Sequence, residues 1–207
     1  QSFQPRSSLP VYQRQVAAPR LVGEATGLSE TVVFENEAVK AFTLPAPHPE
    51  DVLLLSFKSK MHTLGPDVIQ GIVHAVDVAE GSFKALVIGQ LTEPFSAGAD
   101  LKSMLPLFAQ GGIKAVEPIE RAMQDMVQRV RYAQVPVVAA LAGMALGGGC
   151  ELAVHCAKRV AHFETYMGLV EVGLGLVPGS GGLAYCARRA AELQSETNPD
   201  IPLLALL

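Results

Sequence analysis

Apolar residues along this chain switch repeatedly between a period of two and a helical period, and each switch marks the border of an expected element. Thr31-Val32-Val33-Phe34 and Val39-Lys40-Ala41-Phe42 flank the polar turn Glu35-Asn36-Glu37, which predicts a β-hairpin. Residues 52–57 are a short apolar run and predict a buried strand. Gly65-Pro66-Asp67 starts a helix, proline being suited to a first helical turn, and Val68, Ile69, Ile72, Val73 and Val76 repeat at helical spacing until Gly81. A strand is expected at 84–88. Ile119, Met123, Met126, Val127 and Val130 predict a long amphipathic helix that leads into a strand at 135–141, with both methionines filling core. Two strand-turn-helix units follow, one centred on Gly147-Gly148-Gly149 and one on Pro178-Gly179-Ser180-Gly181-Gly182, with a strand at 158–163 between them. Strands and helices alternate throughout, the pattern of an α/β protein.

Composition narrows the function classes. With 207 residues, 49% of them hydrophobic, the chain can bury one substantial core, so a single domain is expected over 29–207. Residues 1–28 carry Pro5, Pro10 and Pro19 without a sustained apolar period and read as a linker, an extended arm or a disordered tail. A net charge of -4 and the absence of any Lys/Arg block argue against a nucleic-acid partner or an anionic membrane patch. No uncharged apolar run is long enough to cross a bilayer. Cys150, Cys156 and Cys186 are odd in number and lack CxxC spacing, which suits three buried, reduced thiols in a cytoplasmic protein and neither a disulfide framework nor a metal site. Gln1 stands where a start methionine would, and the chain stops in an apolar run at 201–207, so both ends read as cut from a longer polypeptide.

Three glycine-rich turns carry the candidate chemistry. Ser96-Ala97-Gly98-Ala99-Asp100 comes first; Glu151 closes Ala145-Leu146-Gly147-Gly148-Gly149-Cys150-Glu151; Glu171 lies in the glycine-rich stretch 168–182. Glycines let backbone approach a ligand closely, and a helix starting at Gly147-Gly148-Gly149 directs free N–H groups at a negative oxygen. The turn at Gly98-Ala99 can supply a second donor. Glu151 follows Gly148 by three residues, which on a helix returns its side chain to the donor's face. Taken singly, each turn also reads as tight helix-strand packing and each glutamate as an exposed helix residue.

Taken together, the turns and the two glutamates resemble the crotonase (enoyl-CoA hydratase/isomerase) superfamily over roughly residues 30–195. The resemblance implies a spiral of β-β-α units. It implies that the N–H groups of Ala99 and Gly148 form an oxyanion hole for an acyl-CoA thioester, and that Glu151 and Glu171 hold and activate water. Retention of both carboxylates favours an enoyl-CoA hydratase of fatty-acid β-oxidation over an isomerase of the same fold, which typically keeps only the later one. Gly179 is then a further N–H donor near the water, Asp100, Leu101 and Lys102 line the acyl-CoA tunnel, and Lys58 and Lys60 meet the nucleotide end of CoA unless they are ordinary solvated lysines. No metal and no cofactor beyond the substrate's own coenzyme A is implied.

Departures from the family pattern are informative. Ser59-Lys60-Met61-His62-Thr63-Leu64-Gly65 resembles the hydratase portion of multifunctional fatty-acid oxidation proteins, and Leu9-Pro10-Val11-Tyr12-Gln13-Arg14-Gln15 resembles the connector after a 3-hydroxyacyl-CoA dehydrogenase region. A parent chain joined to an NAD-dependent dehydrogenase domain is therefore expected. Val170 stands where many members have proline. The chain ends before the family's C-terminal closing helices, so the domain is expected to be incomplete, to lean on other copies as a homo-oligomer, or to act only as an acyl-CoA-binding scaffold. A serine peptidase of the Clp type shares the spiral, but neither Ser96 nor Ser180 has an evident partner in His155 or His162.

Overall fold

The computed structural model describes residues 30–46 and 48–197; the expected arm at 1–28 and the apolar run at 201–207 lie outside the described residues. A six-stranded sheet runs in the order β1 (Thr31–Glu35), β2 (Val39–Thr43), β3 (Val52–Phe57), β4 (Ala85–Gly89), β5 (Val137–Leu141) and β7 (Lys158–Ala161). Pairing is antiparallel from β1 to β3 and parallel from β3 to β7. The expected hairpin closes because Asn36 Oδ1 accepts the N–H groups of Ala38 and Val39, each at 2.8 Å, the side-chain mimic of a turn that asparagine favours.

Register explains why the apolar runs read as they do. Ala41, Leu55, Ile88 and Ala139 form one cross-strand row, and Leu53, Leu86 and Val137 form the next. All seven are buried, whereas Leu54, Val87 and Val138 on the opposite face are half-buried. Helix α1 (Pro66–Ser82) covers the buried face with Val68, Ile69, Ile72, Ala75, Val76 and Ala79, and α3 (Ile113–Arg131) adds Met123, Met126, Val127 and Val130, as the helical spacing predicts. Between them in sequence lies α2 (Leu101–Gly111), which buries none of its residues. A second, two-stranded parallel sheet pairs β6 (Met144–Leu146) with β8 (Tyr166–Gly168), and α4 (Gly148–His155) and α5 (Gly182–Thr197) follow the two later glycine turns.

Three expectations shift. The strand expected at 135–141 starts at Val137 because Pro136 has no N–H to give the ladder; its carbonyl instead accepts the Leu86 N–H at 3.0 Å. The strand expected at 158–163 ends at Ala161, where a turn closed by Thr165 N–H on His162 O leaves Phe163 fully exposed. Cys150 and Cys156 are buried, which pushes both thiols up to about 12, but Cys186 is only half-buried on α5. Among the described residues no helix is long and apolar enough to cross a membrane.

One ion cluster fastens α1 to α3. Arg129 Nη2 contacts Asp77 Oδ1 at 2.7 Å and Glu80 Oε2 at 2.6 Å, while the Gln134 N–H donates to Glu80 Oε1 at 2.7 Å. The guanidinium hydrogen bonds, helped by that N–H, hold the Glu80 carboxyl down at about 2, against an ordinary 4.5. A depressed carboxyl stabilises the fold fully above its unfolded value and loses that contribution as pH falls toward the folded one. Glu80→Gln should therefore lower Tm near neutral pH, and the gap from wild type should close as pH drops from about 4.5 to about 2 in a thermal-denaturation series. A gap independent of pH would show that the ion cluster is not its source.

Candidate active site

The two donor turns are brought together by a short ladder outside the main sheet. Ser96 N–H donates to Met144 O and Leu146 N–H to Ser96 O, each at 3.0 Å, which lays the Ser96 turn beside β6. On its other flank, Leu64 N–H donates to Gly98 O at 2.8 Å and Asp100 N–H to Leu64 O at 3.3 Å. The loop holding Leu64 begins with Met61 and His62, both at positive φ, 56° and 53°, conformations that cost a non-glycine residue energy and persist where the surroundings fix them. Here the carbonyls of both are taken: Ala97 N–H binds Met61 O at 3.1 Å and Ser96 Oγ donates to His62 O at 2.7 Å.

Ala99 N–H, held from both flanks, faces the start of α4. A β-carbon on Gly148 would stand only 3.5 Å from Ala99 N. Gly148 opens α4, so its N–H has no partner within the helix. Among the described residues neither N–H donates to a protein acceptor. Gly98, at φ 95°, makes the approach possible; its β-carbon would lie 2.7 Å from Leu146 O. The two turns therefore bring Ala99 and Gly148 together in the lining of one cavity of about 460 Å³.

Glu151 and Glu171 line that same cavity. Glu151, 2% exposed, is carried one turn into α4, and its Oε1 accepts the N–H groups of Ser180 at 2.9 Å and Gly182 at 2.8 Å. Its pKa is raised above the ordinary 4.5: burial is the largest cause, the charges of Glu171 and Glu120 add to it, and the two N–H donors oppose it. Glu171 opens the 3-10 turn Glu171–Leu174, and its Oε2 is buried without a hydrogen-bond partner among the described residues. Val170 enters that turn at φ -108°, outside the range a proline could take.

Of the other sequence candidates, Leu101 and Gly179 line the cavity and Asp100, Lys102, Lys58 and Lys60 do not. Asp100 caps α2 by accepting Lys102 N–H at 3.2 Å, and Lys102 is exposed. Lys58 bonds Glu35 Oε1 at 3.0 Å and Asn36 O at 2.7 Å, tying β3 to the hairpin turn, while Lys60 is exposed. Ser96 Oγ is spent on His62 O and the Gly98 N–H, Ser180 Oγ donates to Glu120, and His155 Nδ1–H donates to Glu151 O. No serine-histidine pair forms among them, which removes the basis of the peptidase reading. The sequence reading missed Glu120 and the apolar wall from α2 and α3, Met104, Leu105, Phe108, Ile113 and Val116. Its signal was present: Leu105, Phe108 and Ile113 are 59%, 52% and 76% exposed, apolar positions that no core absorbs.

Residues 49–197 match the family described as enoyl-CoA hydratase/isomerase. The chain belongs to this family. Among relatives, a Bacillus subtilis (strain 168) protein described as "Probable 3-hydroxyacyl-CoA dehydrogenase" is 41% identical over 133 residues, 64% of this chain and 17% of that protein. The peroxisomal bifunctional enzyme of Homo sapiens is 40% identical over 126 residues, 61% of this chain and 16% of that protein. The chain thus spans about a sixth of the length of these curated relatives. The crystal structure of an enoyl-CoA hydratase from Thermoplasma volcanium superposes with a TM-score of 0.65 at 22% identity, covering 83% of this chain and 64% of that one, and shares its fold. The fold is that of the crotonases, as the glycine turns led the sequence to be read.

Gly98→Ala tests the geometry directly. It adds a β-carbon that meets Leu146 O at 2.7 Å on a residue at φ 95°, so it should destabilise the fold by about 1–3 kcal/mol in denaturant titration. Gly168→Ala, whose β-carbon would meet nothing within 4 Å, is the control and should cost less. Equal effects would mean that the close approach of the turns is not what Gly98 secures.

Proposed function

We propose that this site adds water across the double bond of a trans-2-enoyl-CoA. One observation carries the reading: two carboxylates and two unpartnered backbone N–H groups share a single cavity. The thioester oxygen takes hydrogen bonds from Ala99 and Gly148, which stabilise the enolate-like charge that develops on it; one such donor is typically worth about a hundredfold to a thousandfold in rate. Glu151, its Oε1 held by Ser180 and Gly182, keeps Oε2 for the water. A carboxylate whose pKa is lifted by burial is a stronger base near neutral pH. It takes the proton as the water oxygen bonds to C3, and Glu171, whose Oε2 has no protein partner, gives a proton to C2. Hydroxide and proton are thereby both added, and the reaction is balanced once Glu151 returns its proton to Glu171. The α2 and α3 side chains Leu105, Phe108, Ile113 and Val116 supply an apolar channel for the acyl chain. Membership of the family and the kinship with multifunctional relatives support a place in fatty-acid oxidation, beside a dehydrogenase that would act on the 3-hydroxyacyl product.

Crotonyl-CoA hydration, followed by loss of absorbance of the conjugated thioester, tests the reading. Glu151→Gln and Glu171→Gln should each fold and lose roughly a hundredfold to ten-thousandfold in kcat; turnover equal to wild type in either would refute the assignment. Double-bond migration of a 3-enoyl-CoA with no hydration would point to the isomerase instead. The wild-type rate should rise with pH through a value above the ordinary carboxylate 4.5, following ionisation of Glu151. Stability runs the other way. A raised folded pKa means that the favourable, neutral form is fully present below the unfolded value and lost as pH rises. Glu151→Gln should consequently be more stable than wild type near neutral pH, with the difference vanishing below about 4.5.

A further inference from the structure

The turn that holds Glu151 is itself held from outside the catalytic motifs. Ser180 Oγ donates to Glu120 Oε1 at 2.9 Å, and Gln124 Nε2 donates to Gly179 O at 2.7 Å. Glu120 and Gln124 are one helical turn apart on α3, so they present two grips on one face. Contact is close: a β-carbon on Gly179 would run into the Glu120 carboxylate and push that side chain aside. From the gripped Ser180 and from Gly182, two residues on, N–H groups converge on Glu151 Oε1.

We propose that Glu120 and Gln124 are positioning residues that clamp the Gly179–Ser180 turn, so that its N–H groups orient the Glu151 carboxylate. The inference rests on the reading of Glu151 as the base. Glu120 acts here as a hydrogen-bond acceptor, and its charge is not what the clamp uses: an amide oxygen in the same place accepts the Ser180 hydroxyl equally well. Gln124 acts as a donor to a carbonyl that otherwise meets solvent. Neither residue needs to touch substrate. Loosening either grip frees the turn, lets Glu151 rotate on its helix, and reduces the rate without removing any reacting group, since a misplacement of about 1 Å can cost a hundredfold.

Amide hydrogen exchange by NMR, together with crotonyl-CoA kinetics, tests this on the full 207-residue chain. Glu120→Ala and Gln124→Ala should each speed exchange at Ser180 and Gly182 by about tenfold or more, while the amides of Val87 and Ile88 in the central sheet keep their wild-type protection. kcat should fall about tenfold to a hundredfold with KM nearly unchanged, the split expected when a transition-state group is misplaced. Glu120→Gln should restore the exchange protection, which reads the hydrogen bond alone, whereas its kcat also carries the loss of the Glu120 charge that helps raise the Glu151 pKa. Because the two grips hold one turn, the double variant Glu120→Ala/Gln124→Ala should lose less than the product of the single losses. Unchanged exchange at Ser180 and Gly182 in both alanine variants would overturn the proposal, as would a Glu120→Gln variant whose Ser180 and Gly182 amides exchange as fast as those of Glu120→Ala. If the wild type hydrates no enoyl-CoA, the functional reading falls, and the exchange measurement still decides whether the clamp exists.

Discussion

The close approach of two glycine turns is the constraint on which the rest of the site depends. Ala99 and Gly148 reach the lining of one cavity only because Gly98 lies against Leu146 O with no β-carbon between them. That contact is not made by the main sheet. It is made by single bridges, Ser96 to Ala145 on one side and Leu64 to Ala99 on the other. A few backbone hydrogen bonds, with the Ser96 hydroxyl spanning to His62 O, thus fix two donors that must be preorganised to be worth anything to a developing negative charge.

Against those donors the chain sets a buried carboxylate, which is costly unless something accepts or supplies its hydrogen bonds. Glu151 meets that cost partly through the N–H groups of Ser180 and Gly182 and partly by holding its proton more tightly than an exposed glutamate would. The compromise suits general-base work. A fully satisfied carboxylate would be a weak base, and an unsatisfied one would be neutral throughout the working range or would unfold the site. Both N–H groups fall on one oxygen of the carboxylate, Oε1.

Much of this was legible in the sequence because its causes are local. The period of Val68 through Val76, the turn chemistry of Asn36, and the glycines at 98 and 147–149 each act within a few residues of themselves, and all led to the elements observed. Glu151 and Glu171 were legible as a pair only through the family resemblance; periodicity gave each no more than a helix glutamate. Lys58 shows the opposite failing, since its ion pair with Glu35 across the hairpin is a contact between strands that no local pattern announces. Glu120 and Gln124 were invisible for the same reason. They lie on the polar face of an amphipathic helix, and their partners are 60 and 55 residues away.

Helix α3 reconciles the stable part of the molecule with the working part. Its inner face places Met126, Val127 and Val130 in the core against α1 and the sheet, so its axis is set by packing that the site does not share. The face turned toward the cavity carries Glu117, Glu120 and Met123, and Met123 Cε reaches to 3.0 Å from where a β-carbon on Gly148 would stand. A close-packed core transmits position with little slack, so the helix delivers that precision to the turns at Gly148 and Ser180. A cavity cut beneath α3, by Met126→Ala for example, would therefore disturb fold and site together.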